Sequence, residues 1–229
     1  MTRCRMKDFT IPLRGKHRKP ETEDCLAGQF RTVVLDPPWW ETGGAAKSKA
    51  FGVGARGADQ HYPLMKTPDI LTTIQESGVF NPADNAHMWM WTTKRFLTDG
   101  LWVMDQLGFR YVTMLTWVKT DKRIGMGRYF RGRSEPLLFG VRGKGLDPSV
   151  CTDHKALDDL VLAPRTTHSR KPAESYLKIE ARSKGPYLEM FGRGSFDRPG
   201  WECWGQQAIE TGATDADSDR DPPAGATAP

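Results

Sequence analysis

The sequence predicts an α/β fold in which a doubly wound, mostly parallel sheet of about seven strands carries helices on both faces. Two observations predict this class. Short runs rich in β-branched and aromatic residues alternate with segments whose apolar residues recur at helical spacing. Glycine, proline or a capping residue separates most of these segments, as in successive βα units. The chain has 229 residues, which suits one well-buried domain, and we place that domain at residues 29–208.

The first half of the chain predicts two strands and two helices. The strands are Phe30–Leu35 and Ala86–Trp91. The first helix is expected to begin with Thr67 as N-cap and Pro68 at its first position, and to end before Gly78. The second helix is expected from Thr93 to Leu107, with Gly108 as its stop. His87 lies within an apolar strand, which favours a hydrogen-bonded core histidine over a catalytic one.

The second half predicts the remaining strands and a third helix. The strands are Tyr111–Val118, Leu137–Val141, Leu157–Ala163, Tyr187–Phe191 and Gly200–Gly205. Pro172 is expected to open a helix that runs to about Ser183, with Tyr176 and Ile179 facing inward. These elements alternate in the order that a doubly wound sheet requires.

The segment Asp36-Pro37-Pro38-Trp39 follows the first strand directly. Ligands of open α/β sheets lie beyond the carboxyl ends of the strands, so these residues face a candidate active site. One chemistry that these residues suit is methylation of the amino group of adenine. That amino group is a poor nucleophile, and methylating it requires hydrogen-bond acceptors for both of its hydrogens. The Asp36 carboxylate could accept one hydrogen and the Pro37 carbonyl the other. Trp39 would offer a flat surface on which the base stacks. The structural alternative is a Pro-Pro turn with Asp36 as a cap and Trp39 in the core.

Two basic segments support the hypothesis that the Asp36–Trp39 segment binds a base. Residues Lys119–Arg133 interleave cationic side chains with Tyr129 and Phe130, a composition typical of channels for single strands or flipped bases. The alternative is an exposed loop pinned by two aromatic rings. His168–Pro172 precedes the third helix, where Lys171 and backbone donors would attract an anion. The alternative there is a helix cap with solvated basic residues.

Further motifs follow in a specific order and spacing. They are His61-Tyr-Pro-Leu-Met65, Trp117-Val-Lys-Thr120, Gly127–Glu135, Leu137–Arg142, His168–Pro172, Glu189-Met-Phe-Gly-Arg193, Pro199-Gly-Trp201 and Gly205. From about Phe30 to Gln207 the chain resembles the adenine-amino methyltransferase family named after the seventy-kilodalton methyltransferase-A subunit of the eukaryotic mRNA adenosine methyltransferase. The resemblance implies a Rossmann-like sheet in permuted, beta-class order, with the cofactor turn Phe191–Gly194 after the catalytic motif.

The resemblance also implies site residues and a cofactor, S-adenosyl-L-methionine. The catalytic residues implied are Asp36, Pro37, Pro38 and Trp39. The cofactor-binding residues implied are Asp36, Lys171, Phe191, Gly192, Arg193, Gln206 and Gln207. The substrate-binding residues implied are Tyr62, Glu135, Ser169, Lys171 and Arg131, with an anchor of the loop as the alternative for Tyr62. The glycine-rich stretch Glu41–Asp59 corresponds to a lid over the base. Ser134 and Gln206 replace a histidine and an asparagine that are common in the family.

Composition bounds the function. The formal net charge is +5, and basic residues crowd residues 1–19 and 119–133, which suits a polyanion partner. Residues 1–28 are expected to form an irregular basic arm that either touches phosphates or is merely solvated. After Ile209 the chain contains no large apolar residue, and residues 209–229 are expected to be disordered. We expect no signal peptide, no membrane span and hence a cytoplasmic protein. The scattered cysteines favour free thiols, and no metal is expected.

The sequence thus predicts an S-adenosylmethionine-dependent methyltransferase that acts on the 6-amino group of adenine in nucleic acid. DNA is expected over RNA, since no zinc finger or partner-binding extension is seen, and the base must be flipped or single-stranded. The alternatives are an RNA adenosine methyltransferase, a catalytically silent nucleic-acid-binding subunit of the same fold, and a methyltransferase for a small molecule or protein amide. A monomer or a homodimer is expected, with no membrane partner.

Overall fold

One seven-stranded sheet organises the molecule. The computed structural model describes residues 29–40, 64–125, 129–152, 157–166, 170–192 and 198–205. The strands are β1 Phe30–Leu35, β2 Pro82–Trp91, β3 Arg110–Lys119, β4 Ser134–Arg142, β5 Leu160–Ala163, β6 Tyr187–Met190 and β7 Trp201–Trp204. The helices are α1 Thr67–Glu76, α2 Leu97–Gln106 and α3 Ala173–Arg182, and a 3₁₀ turn, Lys94–Phe96, leads into α2.

The strand order is β5-β3-β4-β2-β1-β6-β7. Strand β4 runs antiparallel to both of its neighbours, β3 and β2. The other neighbouring pairs are parallel, which confirms the predicted, mostly parallel sheet. As a result, the carboxyl ends of β1, β2, β3, β5, β6 and β7 share one edge of the sheet, and β4 begins at that edge. Ligands of open α/β sheets lie at this edge.

Hydrophobic cores on the two faces of the sheet hold the helices. On one face, Val33 and Leu35 of β1 pack with Ile70 and Ile74 of α1 and with Met104 of α2. On the other face, Val34 of β1 lies in the same cluster as Tyr176 and Ile179 of α3. Each fully buried aliphatic side chain of this size contributes roughly 1.5–3 kcal/mol. The doubly wound arrangement is therefore confirmed.

Two helix starts differ from their predictions. Lys66, rather than Thr67, is the N-cap of α1, and the Thr67 hydroxyl instead donates to the Asp99 carboxylate at 2.6 Å. Because that bond ties α1 to α2, a tertiary contact replaces the expected local cap. The predicted second helix begins as the 3₁₀ turn and becomes α-helical only at Leu97. Gly108 adopts a φ of +80° after α2, as its stop role requires.

His87 is a satisfied core histidine, as predicted. Its Nδ1 lies 2.8 Å from the Ser183 hydroxyl and its Nε2 lies 2.6 Å from the Gly145 carbonyl. Since a carbonyl only accepts, Nε2 carries the hydrogen and Nδ1 accepts from Ser183. Burial lowers the pKa of His87, an effect that the Gly145 hydrogen bond partly opposes. This ring therefore holds β2 to the segment before β6 in its neutral form.

Several predictions fall on residues outside the described ranges. These are the basic arm at 1–28, the whole lid at 41–59, and the tail at 209–229. The domain limits at 29 and 208 therefore stay predictions. None of the helices in the described part of the chain is long and apolar enough to cross a membrane.

Candidate active site

Charged side chains from four distant segments meet at the edge where the parallel strands end. Asp36 directly follows β1, Lys119 ends β3 and Glu135 lies at the start of β4. Lys171 comes from the segment between β5 and α3. Antiparallel pairing of β3 with β4 places Glu135 opposite Trp117, two residues before Lys119. The sheet order therefore assembles this cluster, which we call the charged quartet.

The charged quartet is a chain of ion pairs with alternating sign. The Lys171 ammonium lies 3.0 Å from Asp36 Oδ1 and 3.5 Å from Glu135 Oε2. Lys119 pairs with the other oxygen of Glu135. The Lys171 and Asp36 side chains are only 11% and 8% exposed. Charges this far removed from water are retained only when they are paired, so each member of the quartet depends on its neighbour.

The electrostatic balance keeps Glu135 ionised. Burial alone would raise the pKa of Glu135, but the ammonium groups of Lys171 and Lys119 outweigh it and lower that pKa below the usual carboxyl range. The ionised carboxylate accepts hydrogen bonds and donates none. Glu135 can therefore orient both lysines or accept from an amino group, but it is unsuited to supply a proton near neutral pH.

Two indole rings lie beneath the lysines of the quartet. The Lys171 ammonium is 5.2 Å from the centre of the Trp91 ring, and the Lys119 ammonium is 4.7 Å from that of Trp117. The two indoles meet edge to face at 6.1 Å. Cation–π contacts of this kind contribute roughly 0.5–2 kcal/mol and restrict where an ammonium group can sit. The rings thus position both cations at the sheet edge.

Backbone hydrogen bonds fix the turn after β1. The Asp36 N–H donates to the Met190 carbonyl of β6 at 3.1 Å, so β1 and β6 remain paired up to the turn. The Pro37 carbonyl accepts the Trp39 N–H at 2.9 Å, and the Pro38 carbonyl accepts the Met65 N–H at 2.8 Å. A carbonyl oxygen has two lone pairs, so the Pro37 oxygen retains the capacity for one more donor. The turn is therefore rigid, and its predicted second acceptor is intact.

Trp39 packs in the core. It is only 5% exposed, and its indole N–H donates to the Trp91 carbonyl at 3.1 Å. Its ring stacks on Phe96 with centroids 5.7 Å apart. This is the structural alternative named for Trp39, since Phe96 covers the face that an open stacking surface would need. Stacking of a base on Trp39 stays a prediction, and this placement does not support it.

The turn after β6 is strained and tightly packed. Phe191 has a φ of +65°, which non-glycine residues rarely adopt. Its N–H donates to the Trp204 carbonyl at 2.7 Å, and its ring meets the Trp204 ring edge to face. A Cβ on Gly192 would lie 2.6 Å from the Cys203 sulfur, so only glycine fits. Strained backbone of this kind costs about 1–3 kcal/mol and is concentrated at functional sites.

A buried acid below the turn was not predicted as a site residue. Glu189 is 2% exposed within β6, and the Tyr176 hydroxyl donates to its Oε1 at 3.0 Å. Its Oε2 is buried without a hydrogen-bond partner. Burial raises the pKa of Glu189 well above its usual range, with a further upward contribution from Asp36, so the neutral acid is favoured. Burial also raises the pKa of the neighbouring Cys203 to about 12, which keeps that thiol protonated.

The sequence held signals for Glu189 and Lys119, two residues of the site that were not among the predicted site residues. Glu189 is a carboxylate in an otherwise hydrophobic strand, which marks a buried acid. Lys119 is the first residue of the predicted basic segment Lys119–Arg133, but its pairing with Glu135 follows only from the order of β3 and β4. Tertiary pairing, rather than local pattern, creates this part of the site.

Arg131 lies in the connection between β3 and β4, of which residues 120–125 and 129–133 are described and which we call the hairpin. Its guanidinium donates to the carbonyls of Gly125 and Ile124 at 3.2 and 3.3 Å. Tyr129 and Phe130 are 87% and 91% exposed.

Five predicted site residues lie outside the described ranges: Tyr62, Ser169, Arg193, Gln206 and Gln207. Within those ranges, no group of three or more His, Cys, Asp or Glu side chains could hold a metal ion.

Comparison with known proteins gives a family match and several relatives. The MT-A70 family model matches residues 30–207. The human N(6)-adenosine-methyltransferase catalytic subunit METTL3 is 29% identical over 192 residues, covering 80% of this chain and 29% of METTL3. The Drosophila melanogaster N(6)-adenosine-methyltransferase MT-A70-like protein is 28% identical over 190 residues, covering 80% and 27%. The type II methyltransferase M.MunI of Mycoplasma sp. is 28% identical over 195 residues, covering 77% of each chain. The chain thus spans under a third of the two adenosine-methyltransferase relatives.

Proposed function

The chain belongs to the MT-A70 family, and on that premise we propose that it transfers a methyl group to the 6-amino group of adenine in nucleic acid. The observation that carries this proposal is the position of Asp36. Its carboxylate directly follows strand β1, lies 3.0 Å from Lys171 and stands next to the backbone carbonyl of Pro37. Two hydrogen-bond acceptors on a rigid turn suit an amino group with two hydrogens.

The proposed role of the turn is to orient the amino group and receive its proton. Hydrogen bonds from the amino group to the Asp36 carboxylate and the Pro37 carbonyl direct the nitrogen lone pair out of the ring plane. Lys171 restrains the carboxylate, and the indole of Trp91 restrains Lys171. The nitrogen–carbon bond would form as the methyl–sulfur bond of a sulfonium donor breaks and a neutral thioether leaves. The nitrogen then carries the positive charge, and Asp36 is placed to accept the proton that leaves. Positioning of this kind can supply much of the catalysis.

The described residues fit S-adenosylmethionine as the methyl donor, which when bound supplies an electrophilic methyl on sulfur. The Asp36 carboxylate and the Lys171 ammonium match the ammonium and carboxylate of an amino acid moiety. The strained turn at Phe191 follows β6 at the sheet edge where ligands of open α/β sheets lie. Arg193, Gln206 and Gln207 complete the proposed cofactor site from outside the described ranges.

A basic hairpin supports nucleic acid as the substrate class. A backbone hydrogen bond between Gly125 and Gly132 closes the hairpin, and the Arg165–Asp121 ion pair at 2.8 Å braces its base. Tyr129 and Phe130 project from it almost fully exposed. Exposed rings flanked by cations are suited to stacking bases and contacting phosphates. We propose DNA over RNA, with the target base flipped or single-stranded.

Labelling identifies the substrate. The purified protein is incubated with methyl-labelled S-adenosylmethionine and with DNA and RNA oligonucleotides of matched sequence, with and without adenine. We expect label in adenine-containing DNA and in no adenine-free oligonucleotide. Label in RNA alone would make the protein an RNA adenosine methyltransferase. Label only in small molecules or protein would overturn nucleic acid as substrate, and oligonucleotide binding without cofactor binding by calorimetry would indicate a silent binding subunit.

Replacing Asp36 tests the mechanism. Asp36→Ala, and Asp36→Asn of nearly equal size, should lower the methylation rate at least ~100-fold, because they remove the proton acceptor. The melting temperature should show that the fold remains. Asp158→Ala is the matched control, since that carboxylate is 74% exposed in a surface pair with Lys178. Full activity in both Asp36 variants would rule out the proposed role.

A further inference from the structure

A cleft of about 500 Å³ opens beside the catalytic turn. Among the described residues around it are the aromatic side chains of Trp40, Phe96 and Trp102 and the cationic side chains of Lys66 and Arg95. Trp40 and Trp102 are 47% and 43% exposed. Single exposed apolar residues are common on protein surfaces. Two half-exposed indoles in one concavity, with two cations at the same cleft, instead indicate a binding surface.

The cleft is continuous with the active-site edge of the sheet. Trp40 directly follows the Asp36–Trp39 turn. Lys66 occupies the N-cap position of α1, which starts at this edge. Phe96 lies between the cleft and the turn, since it lines the cleft and also stacks on Trp39 with planes only 15° apart. One layer of aromatic rings therefore separates the cleft from the residues that hold the target base.

The charges of the cleft favour an anion-bearing ligand. Lys66 and Arg95 are exposed, and the Arg95 guanidinium lies 5.5 Å from the centre of the Phe96 ring. The cleft also contains one carboxylate, Asp99, which already accepts the Thr67 hydroxyl at 2.6 Å. No side chain caps the N-terminus of α1 or of α2, so both helix starts add partial positive charge. Cationic groups beside flat rings match the chemistry of a nucleotide.

We propose that this cleft binds a nucleotide of the substrate strand that flanks the target adenine. Its base lies against Trp40 and Trp102, and its phosphate is held by Lys66 and Arg95. The proposal rests on the proposed function in taking a nucleic-acid strand as substrate. It adds a site at which the strand is gripped next to the flipped base, and such a site selects a polymer over a free adenine nucleoside.

The cleft is tested by binding measurements that need no methyl transfer. Fluorescence anisotropy of a labelled, thymine-only single-stranded oligonucleotide gives the affinity of the wild type, of Trp40→Ala/Trp102→Ala and of Trp40→Phe/Trp102→Phe. Losing both indoles should weaken binding at least ~10-fold, and phenylalanine should restore most of it, because a smaller ring still stacks. Leu177→Ala, at an apolar side chain 59% exposed on α3, is the matched control and should bind as the wild type does.

Photo-crosslinking locates the strand. An oligonucleotide with iodouracil next to the target adenine is irradiated with the protein, and the crosslinked peptide is mapped by mass spectrometry. We expect the adduct on Trp40 or Trp102. Unchanged affinity in the double alanine variant, or an adduct confined to other segments, would overturn the proposal that the cleft binds a nucleotide, even if the protein methylates adenine.

If the double alanine variant loses affinity but the wild type methylates nothing, nucleotide binding by the cleft is supported and the proposed function is overturned.

Discussion

Lys171 is the residue on which the charged quartet depends, because it alone contacts both carboxylates. It lies 3.0 Å from Asp36 and 3.5 Å from Glu135, and its side chain is 11% exposed. Removing one partner of a buried pair leaves an unpaired charge in a medium of low dielectric constant. Lys171 therefore affects both the stability of the site and its chemistry.

Replacing Lys171 with methionine should lower the free energy of unfolding by up to roughly 3 kcal/mol near neutral pH, measured by urea unfolding. The pKa of Glu135 is depressed in the folded protein, so its stabilising contribution is present above the usual carboxyl pKa and is lost as pH falls. The variant lacks part of this contribution, so its deficit relative to the wild type should shrink in acid.

Lys178→Met provides the control for this prediction. Lys178 pairs at 2.7 Å with Asp158, whose side chain is 74% exposed, and surface pairs of this kind add little to stability because water screens them. Equal losses in the two lysine variants, or a Lys171 deficit that does not change with pH, would contradict the role assigned to the quartet.

Glu189 gives a second prediction, because a neutral acid in the core makes stability depend on pH. The folded-state pKa of Glu189 is raised, so the native protein keeps a proton that the unfolded chain releases. Stability is therefore fully present below the unfolded pKa and falls as pH rises toward the folded pKa. Glu189→Gln keeps an acceptor for the Tyr176 hydroxyl and cannot ionise.

The Glu189→Gln variant should therefore be more stable than the wild type at about pH 8, by on the order of 1 kcal/mol, and should lose this advantage at about pH 5. Thermal unfolding at both pH values measures it. Glu174→Gln, at an exposed position on α3, should show no such difference. A Glu189→Gln variant that is less stable at both pH values would mean that the carboxylate, not the acid, is the native form.

At the scale of elements, local pattern predicted the strands and α-helices of the described residues, because hydrophobic runs and helical spacing were separated by glycine, proline or polar residues. Strand β1 is buried at five of its six positions, and a nearly continuous hydrophobic run is the signature of a central parallel strand. Helix starts were less predictable. Thr67 has the chemistry of an N-cap, but its hydroxyl bonds to Asp99 on another helix, and sequence reasoning carries no information about that neighbour.

The candidate site was predicted only in part, because some of its contacts depend on tertiary neighbours that local sequence does not specify. Asp36 and Phe191 end strands, so their place at the sheet edge follows from the chain order and the rule for open sheets. The Glu135–Lys119 pair follows from the antiparallel register of β3 and β4, which no local pattern specifies. Trp39 is an aromatic residue three positions after an acid, a pattern that suits base stacking and core packing equally, and its contact with Phe96 depends on tertiary packing.

The hairpin of residues 120–133 gives a prediction at this scale. Replacing both Tyr129 and Phe130 with alanine should weaken oligonucleotide binding about 10-fold, since stacking contributes roughly 1–3 kcal/mol per base. The melting temperature should not change, because the two rings are 87% and 91% exposed. Leu146→Ala, at a leucine 70% exposed beyond β4, is the control. Unaltered binding would assign these rings to some other contact.

At the scale of the whole molecule, the excess positive charge predicts that binding depends on salt. The formal net charge is +5, and each phosphate contact releases counterions from the nucleic acid. The logarithm of the binding constant should therefore fall linearly with the logarithm of salt concentration. Lys122→Ala, at an exposed lysine on the hairpin, should reduce the magnitude of that slope by about 1. An affinity independent of salt would contradict phosphate contacts.

The charged quartet has no net formal charge, because its two carboxylates are balanced by its two ammonium groups. A cluster without net charge exerts no net long-range attraction on a triphosphate. Free ATP, which carries the same purine as an adenine in a strand, is therefore not drawn to the quartet by its overall negative charge. If the proposed function is correct, discrimination between a metabolite and a polymer falls to surfaces outside the quartet, and we expect the protein to select the strand rather than the purine.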